Sequence, residues 1–355
     1  MSKDKATTGA NLEPDATTLR AYLAETLPDL RGEISVQRVT GGASNLTYIV
    51  TVGDTELVLR HPPFGTKAKT AHDMGREFKV LSCLQPVFRY CPRPLAYCAD
   101  DTVLGEPFFV MEKLDGLILR RDLPDGFELT PGEARTLCQN LIDVHIELHN
   151  VDYRAAGLAD FGKPAGYVER QVLGWNSRYQ NARTDDVPDN DGLMAWLADN
   201  MPGDSDRSAV IHNDYKFDNV VLNADDGPVR ISGVLDWEMA TLGDPLMDLG
   251  CSLAYWVEAG DPSPLMQARM MPTQLPGMMS RREILDYYRQ KSGMAEIPFD
   301  FYYAFGLFRL SVIAQQIYYR YAKGETGDER FAHFGQMGAI LSERAWEVAN
   351  GRVSV

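Results

Sequence analysis

One stretch of the sequence constrains the fold more than any other: residues 209–222, which read AVIHNDYKFDNVVL. Its two ends, residues 209–211 and 220–222, are short apolar runs typical of buried strands. The polar residues between them are His212, Asn213, Asp214, Lys216, Asp218 and Asn219. Asn and Asp are ordinary turn formers, but an ordinary turn needs only about two or three such residues. A loop held by strands on both sides fixes functional groups in place, so the stretch predicts a functional loop.

The length and charge of the chain narrow the class of protein. With 355 residues it is long enough for two lobes, each with its own core. Its 50 acidic and 35 basic residues give a formal net charge of −15, and no run of Lys and Arg supplies a local basic patch. Such a chain repels nucleic acid and anionic membranes, so neither is expected as a partner.

Cysteine usage and the chain start indicate a cytoplasmic protein. The five cysteines are an odd number and include no Cys-x-x-Cys pair, which favours buried thiols over disulfides or a zinc site. Residues 1–16 lack an apolar core and are expected to be a disordered lead-in rather than a secretory signal. The apolar segment 301–323 carries Arg309, Gln315 and Gln316 near its middle, so it is predicted to be a core helix and not a membrane span.

The period of the hydrophobic pattern changes along the chain. Before residue 113, alternation predicts strands near 34–38, 46–52, 57–59 and 108–112, with helices near 17–27 and 73–84. After residue 116, helical periods dominate, over 131–148, 192–198, 280–290, 300–323 and 328–349. The sequence therefore predicts an α+β fold with a small β-rich lobe, residues 17–113, and a larger, mainly helical lobe, residues 114–355.

Three residues form a set suited to phosphoryl transfer. Asp214 and Asn219 are five positions apart on the polar loop, and Asp236 ends the later apolar strand ISGVLD. Mg²⁺ prefers oxygen ligands, and phosphoryl transfer also needs a carboxylate that takes the proton of the acceptor. Lys216, two residues beyond the candidate base Asp214, could reach the transferred phosphate as a point charge.

The β-rich lobe offers groups for a nucleotide. The turn TGGASN contains glycines that would let backbone N–H groups approach phosphates closely; a simple turn between strands is the alternative interpretation. Arg60 ends the next strand, where a cation could meet the α and β phosphates, and Glu77 in the following helix could hold that cation by a salt bridge. Solvated surface charges are the alternative interpretation for both residues.

These motifs resemble those of the aminoglycoside phosphotransferase-like kinases, which share the two-lobed protein-kinase fold. HNDYKFDNVVL is similar to the catalytic loop of that family, and VLDWEMATLGDPLMDLG to its metal-binding strand and the helix that follows. LHNVD at 148–152 is a further shared feature, and the resemblance covers about residues 30–345. The patterns LRHPP and DWEMATLGDP are closest to the branch found fused to acyl-CoA dehydrogenases.

The resemblance implies a role for each matching position. Asp214 would be the catalytic base, with Lys216 beside it, while Asn219 and Asp236 would bind Mg²⁺. ATP or GTP would be the co-substrate. The residues implied in nucleotide binding are Gly41, Gly42, Ser44, Asn45, Arg60, Glu77 and the hinge residues Met111, Glu112, Lys113 and Leu114.

The resemblance also implies supporting residues and shows two departures. His212 would brace the loop, Asp244 would be structural, and Asp248 would hydrogen-bond the loop backbone from the next helix. Arg60 stands where many relatives have Lys, and arginine is a bulkier cation that keeps its proton. Asn213 stands where many have Gly, and asparagine tolerates unusual backbone angles.

The leading hypothesis is a Mg²⁺-dependent kinase that transfers the γ-phosphate of ATP or GTP to a hydroxyl of a small metabolite. The branch suggests an acyl or hydroxyacyl compound, and a homodimer is possible. The alternatives are a catalytically degenerate nucleotide- or ligand-binding module and an aminoglycoside-type antibiotic phosphotransferase. A metal-dependent hydrolase is a third, disfavoured because the chain, with six histidines, lacks the His and Asp clusters of two-metal sites.

The methionine-rich segment 265–279 and the buried-helix residue Arg309 each have two interpretations. Residues 265–279 contain five methionines and are either a lid over an apolar substrate or a loop packed on the core. Arg309 either pairs with an anion of the substrate or is neutralised by a structural partner such as Glu258.

Overall fold

The computed structural model describes residues 13–39, 45–63, 73–203, 207–224, 227–326 and 328–355. The chain divides into two compact units, Met1–Leu114 and Asp115–Val355, called the first and second unit below. The first unit is built around a five-stranded sheet and the second is mainly helical. The predicted α+β class is confirmed.

The first unit contains one antiparallel sheet of strand order β1-β2-β3-β5-β4. Its strands are β1 (Ile34–Arg38), β2 (Leu46–Val52), β3 (Thr55–His61), β4 (Pro94–Cys98) and β5 (Phe108–Glu112), and its helices are α1 (Ala16–Thr26), α2 (Met74–Leu84) and α3 (Asp101–Leu104). Helix α1 begins because the Asp15 carboxylate accepts the Thr18 N–H at 2.7 Å. Its buried face, Leu19 and Leu23, packs with residues of the sheet.

The second unit contains eight helices among its described residues: α4 (Pro131–His149), α5 (Tyr167–Ala182), α6 (Asp191–Asp199), α7 (Pro245–Ala254), α8 (Ser263–Ala268), α9 (Arg281–Ser292), α10 (Asp300–Ala322) and α11 (His333–Ala349). Four short strands form two antiparallel pairs, β6 (Ala209–Ile211) with β9 (Thr241–Gly243) and β7 (Val220–Asn223) with β8 (Arg230–Val234). Helix α9 begins with a capping box, in which Ser280 and Glu283 each bond the other's backbone.

Helix α5 is not among the helices that the sequence pattern predicts. It contains Gly174 and two asparagines, which lower helix propensity. Its buried residues, Val168, Val172, Trp175, Tyr179 and Ala182, nevertheless recur at helical spacing, which is the signal that identifies it. Helix α3, in the connection between β4 and β5, is also absent from the predicted elements. The last helix begins at His333, after a 3₁₀ turn, instead of at the predicted residue 328.

Helices α7 and α10 cross with their backbones in contact. A Cβ atom added at Gly250 would collide with the Tyr302 carbonyl oxygen, and one added at Gly306 would collide with the Gly250 carbonyl oxygen. Only glycine at these two positions permits this approach. The contact matters for the site, because α7 carries Asp248 and α10 carries Arg309.

The methionine-rich segment packs against the helical core. Met271 and Met279 are buried, the Trp256 Nε1 donates to the Met279 carbonyl at 2.9 Å, and the Thr273 hydroxyl donates to the Val257 carbonyl at 2.7 Å. These contacts favour the packed-loop interpretation over the lid. All five cysteines remain thiols, as predicted, and none of the described helices is both long and apolar enough to cross a membrane.

Candidate active site

The polar loop is anchored at both ends by short sheets. Strand β6 pairs with β9 and strand β7 pairs with β8. Between β6 and β7 the chain makes a tight turn and one 3₁₀ turn, Phe217–Asn219. The predicted strand–loop–strand arrangement is confirmed, and it holds the polar side chains on a rigid frame.

Asp214 accepts hydrogen bonds on both carboxylate oxygens. Its Oδ1 accepts from the Tyr255 hydroxyl at 2.9 Å, and its Oδ2 accepts from the Asn219 amide nitrogen at 2.8 Å and from the Lys216 ammonium. The Lys216 ammonium also lies 4.6 Å from the centre of the Tyr255 ring. The structure therefore brings together the predicted base, its lysine and one predicted metal ligand, and adds Tyr255 from the end of α7.

The charges around Asp214 keep it ionised at neutral pH. Burial by itself raises the pKa of this carboxyl, but the Lys216 ammonium and the Arg309 guanidinium reverse the effect and hold the pKa below its usual value. Burial and the neighbouring Asp214 carboxylate raise the pKa of the Tyr255 hydroxyl well above its usual value. Asp214 is thus a proton acceptor, and Tyr255 a hydrogen-bond donor, across the neutral range.

His212 and Asn213 shape the loop from within. The buried His212 ring donates from Nε2 to the Leu235 carbonyl at 2.9 Å and accepts the Asp214 N–H on Nδ1 at 3.2 Å. This pattern requires a neutral imidazole, and it confirms that His212 braces the loop. Asn213 has a φ of 65°, a left-handed conformation that asparagine tolerates better than most residues.

Asp248 on α7 anchors the backbone of the loop. Its Oδ2 accepts the His212 N–H at 2.8 Å and its Oδ1 accepts the Asn213 N–H at 2.7 Å. The Nε2 atoms of His145 and His149 on α4 also donate to Oδ2, at 3.0 and 3.1 Å. Burial raises the pKa of Asp248, but the histidine hydrogen bonds hold it well below its usual value. The predicted contact of Asp248 with the loop backbone is confirmed.

The two histidines of α4 form a hydrogen-bond network that sequence reasoning missed. Their ligand atoms and a carboxylate oxygen of Asp248 lie within 4.8 Å of one another, the spacing of a metal site. Both imidazoles already donate to that carboxylate, and His149 Nδ1 accepts from the Tyr288 hydroxyl at 2.8 Å. Three of the four imidazole nitrogens are thus hydrogen-bonded, and the buried His145 Nδ1 has no partner among the described residues. The i, i+4 spacing already predicts that His145 and His149 share one helix face, but it does not predict their common partner Asp248.

We expect the stability of the second unit to fall between pH 6.5 and pH 4 because of His145. Burial, with the neighbouring His149, lowers the pKa of this imidazole to about 4. Below pH 6.5 the unfolded chain therefore binds a proton at this residue that the folded chain does not bind, and this lowers the free energy of unfolding. A displacement of this size corresponds to roughly 3 kcal/mol.

Urea denaturation across this pH range checks the expectation. His145→Asn keeps a donor for Asp248 but does not titrate, so its stability should depend less on pH. His333→Asn, at an exposed position, is the matched control. An acid dependence of His145→Asn equal to that of the wild type would contradict this role.

Asn219 and Asp236 offer hard oxygen donors. The Asn219 amide nitrogen donates to the Asp214 carboxylate at 2.8 Å and to the Asp214 carbonyl at 2.9 Å, so its amide oxygen is the atom suited to a cation. Asp236 lies two residues after the last residue of β8, Val234, instead of ending that strand as predicted. It is partly exposed and has a φ of 65°. The Leu235 N–H donates to the Asn219 carbonyl at 2.8 Å and joins the two segments. This donor set fits Mg²⁺.

In the first unit, Arg60 and Glu77 form the predicted salt bridge. The Arg60 Nη2 lies 3.4 Å from a Glu77 carboxylate oxygen, and its Nη1 donates to the Thr47 hydroxyl at 2.9 Å. Both residues are buried, so the interpretation as solvated surface charges is wrong. Asn45 is also buried. The predicted residues Gly41, Gly42 and Ser44 lie outside the described residues.

The predicted hinge begins on the last strand of the first sheet. Met111 and Glu112 end β5, and Met111 is buried. The Glu112 carboxylate accepts the Arg93 N–H at 2.7 Å, and the Lys113 ammonium lies 2.9 Å from a Glu56 carboxylate oxygen. These side chains thus face partners within the first unit, and Leu114 follows them as its last residue.

Arg309 is not neutralised by Glu258, so that interpretation is wrong. Glu258 instead contacts Arg281, with a Glu258 carboxylate oxygen 3.4 Å from the Arg281 Nε. The Arg309 Nη2 donates to the Met239 sulfur at 3.4 Å. Trp237 is buried. Asp244 caps α7 by accepting the Leu246 N–H at 2.7 Å.

Comparison with solved structures defines the class of the fold. A Ralstonia eutropha protein provisionally named an aminoglycoside phosphotransferase superposes with a TM-score of 0.80 at 28% identity, covering 95% of this chain and 98% of that one. The GDP complex of aminoglycoside 2′-phosphotransferase-IIIa gives 0.59 at 18% identity, covering 95% and 99%. Spectinomycin phosphotransferase with ADP and spectinomycin gives 0.60 at 12%, covering 96% and 99%. The fold is the protein-kinase-like fold of these phosphotransferases.

Sequence comparison then gives the family. The profile of the phosphotransferase enzyme family (APH) matches residues 35–280, and the chain belongs to this family. The chicken (Gallus gallus) protein acyl-CoA dehydrogenase family member 11 is 33% identical over 345 residues, which cover 94% of this chain and 43% of the relative. The chain thus spans about two fifths of the length of that relative.

Proposed function

We propose that this phosphotransferase is a kinase that moves the terminal phosphate of ATP or GTP to a hydroxyl group of a small metabolite. The observation that carries the proposal is the arrangement of Asp214, held ionised with Lys216 and Asn219 on its carboxylate. Asp214 would orient the acceptor hydroxyl and take its proton. Lys216 would contact the transferred phosphate as a point charge.

Asn219 and Asp236 would hold Mg²⁺. The ion would neutralise part of the negative charge on the phosphate oxygens. In the first unit, Arg60 is the cation proposed to meet the nucleotide phosphates, and its salt bridge with Glu77 would orient its guanidinium. The phosphotransferase relatives bound to GDP and to ADP support a purine nucleotide as co-substrate.

An acyl or hydroxyacyl acceptor is the proposed substrate class. One observation supports it: the chicken relative, of which this chain spans about two fifths, is named as an acyl-CoA dehydrogenase family member.

Thermal unfolding with nucleotide tests the proposal. A ligand at about a hundred times its dissociation constant adds about 2.7 kcal/mol, which should raise the midpoint of a chain of this size by roughly 2 °C or more. We expect this shift with Mg²⁺ and either ATP or GTP, and we expect its loss in Asp236→Asn. The nucleotide that gives the larger shift identifies the preferred base.

The alternative outcome points to a different function. No shift with either nucleotide, over a wide concentration range and with Mg²⁺ present, would favour a degenerate binding module. A shift that persists unchanged in Asp236→Asn would remove Asp236 from the metal site. Nucleotide consumption with a panel of hydroxylated metabolites then separates an active kinase from a module that only binds.

A further inference from the structure

Two arginines of the second unit lie against one indole ring. The guanidinium carbon of Arg309 is 5.3 Å from the centre of the Trp175 ring, and that of Arg178 is 4.6 Å from it. In the parts of the chain that the structure describes, neither arginine forms an ion pair with a carboxylate. The sulfur of Met239, 3.4 Å from Arg309 Nη2, is the hydrogen-bond acceptor of that guanidinium.

The burial of Arg309 makes this arrangement unfavourable by itself. Its side chain is 3% exposed, and a buried cation normally has a carboxylate partner. Burial and repulsion from Arg309 lower the pKa of Arg178. Burial also lowers the pKa of Arg309, but neighbouring groups that include Asp214 raise it above its usual value. The Cys251 thiol, whose pKa burial raises to about 11, is neutral at pH 7. Asp214, which does carry a charge, already accepts from Lys216.

Two further groups at this place lack a good partner. The buried Trp175 Nε1 has no hydrogen-bond acceptor among the described residues. Met239 offers only a thioether, which is a weak acceptor, and its side chain is 37% exposed although it is large and apolar. One buried arginine, one exposed arginine and one unsatisfied indole N–H therefore lie at the same tryptophan, and no carboxylate bonds any of them among the described residues.

We propose that Arg309, Arg178 and the Trp175 N–H form a subsite for an oxyanionic group, a carboxylate or a phosphate, carried by the phosphate acceptor. An oxyanion is a far stronger acceptor than a thioether, so it displaces Met239 from Arg309. The identity of the ligand as the acceptor rests on the proposed kinase function.

The position of Met239 connects this subsite to the catalytic loop. Its carbonyl accepts the Asn213 side-chain amide at 3.0 Å, and it lies three residues after Asp236. Arg309 and the loop that carries Asp214 therefore contact the same residue, Met239. A polycationic aminoglycoside is the opposite of what this subsite selects.

Anion-dependent stabilisation in the absence of nucleotide tests the subsite. The probes are sulfate and malonate, which stand for a phosphate and a carboxylate, titrated at constant ionic strength against chloride. We expect a saturable rise in the unfolding midpoint of the wild-type chain. Arg309→Met should raise the apparent dissociation constant at least tenfold, and Arg178→Gln should raise it severalfold.

Two comparisons separate binding at this subsite from other effects. Arg320→Gln removes an exposed charge from the same helix and should respond as the wild type does. Arg309→Met also removes the attraction between Arg309 and Asp214, so its unfolding midpoint without anions is measured first and each anion response is compared with that baseline. If Arg309→Met does not fold, Arg178→Gln tests the subsite instead, and anions should raise its unfolding midpoint less than they raise that of the wild type.

The results that overturn the subsite differ from those that overturn the kinase function. The subsite is contradicted if sulfate and malonate raise the unfolding midpoint no more than chloride does. It is also contradicted if Arg309→Met responds to these anions as the wild type does, or, where Arg309→Met does not fold, if Arg178→Gln does so. If anions stabilise the chain in an Arg309-dependent way but the chain consumes no nucleotide, the subsite is supported and the kinase function is contradicted. If both stand, oxyanionic acceptors should show a higher KM in Arg178→Gln with kcat nearly unchanged.

Discussion

Asp214→Asn is expected to lower phosphotransfer turnover by about a hundredfold or more, because a positioned base contributes about 10²- to 10⁴-fold. The asparagine amide is close to isosteric with the carboxylate and can keep the 2.9 Å hydrogen bond with Tyr255. It cannot take a proton, and it no longer attracts Lys216. The affinity for nucleotide should change only severalfold, since Asp214 is not a proposed ligand of the nucleotide or the metal.

Turnover and nucleotide affinity must be measured on the same preparations. Asp218→Asn is the matched control, because Asp218 lies on the same loop but faces Arg120, with 3.7 Å between the charged atoms. This control should keep turnover within about threefold of the wild type, as expected for a weak surface pair. Asp214→Asn turnover close to that of the wild type would remove Asp214 from the base role.

Asp248→Ala is expected to destabilise the chain by roughly 4 kcal/mol or more. The change leaves four buried donors without an acceptor: the backbone N–H groups of His212 and Asn213 and the Nε2–H groups of His145 and His149. Each unsatisfied buried donor costs about 1–3 kcal/mol. Urea denaturation followed by circular dichroism measures the loss.

Asp244→Ala is the control for Asp248→Ala, because Asp244 caps the same helix. Loss of a cap costs about 1 kcal/mol, so its effect should be clearly smaller. Equal destabilisation by the two variants would show that Asp248 supports only its own helix and not the loop. A folded Asp248→Ala with wild-type stability would contradict the anchoring role outright.

The sequence predicts the parts of the site that lie close together along the chain. The strands on both sides of 212–219 are correct, because apolar runs of three or four residues must be buried wherever they fall. Asn213 adopts a left-handed backbone that the residue type tolerates, and the bracing role of His212 is the one that the family resemblance implies. The ion pair of Arg60 with Glu77 is correct as well, since a strand end and the following helix leave little freedom.

The parts that depend on distant packing could not be predicted. Tyr255 reaches Asp214 across 41 positions and His145 reaches Asp248 across 103, and no local pattern encodes either pair. The assignment of Glu258 to Arg309 failed for the same reason, because Arg281 from another helix takes that carboxylate. The roles proposed for the nucleotide-binding residues remain predictions.

The crossing of α7 and α10 at Gly250 and Gly306 fixes the distance between Asp248 and Arg309. Asp248 lies two residues before one glycine and Arg309 three residues after the other, and two backbones in contact cannot slide past each other without a clash. The span from the loop anchor to the arginine is therefore invariant. Lengthening the acceptor by one bond would misplace its hydroxyl by about 1 Å, enough to slow a reaction that depends on alignment about a hundredfold. Relatives with longer or shorter acceptors should differ at the exposed Met239 and keep both glycines.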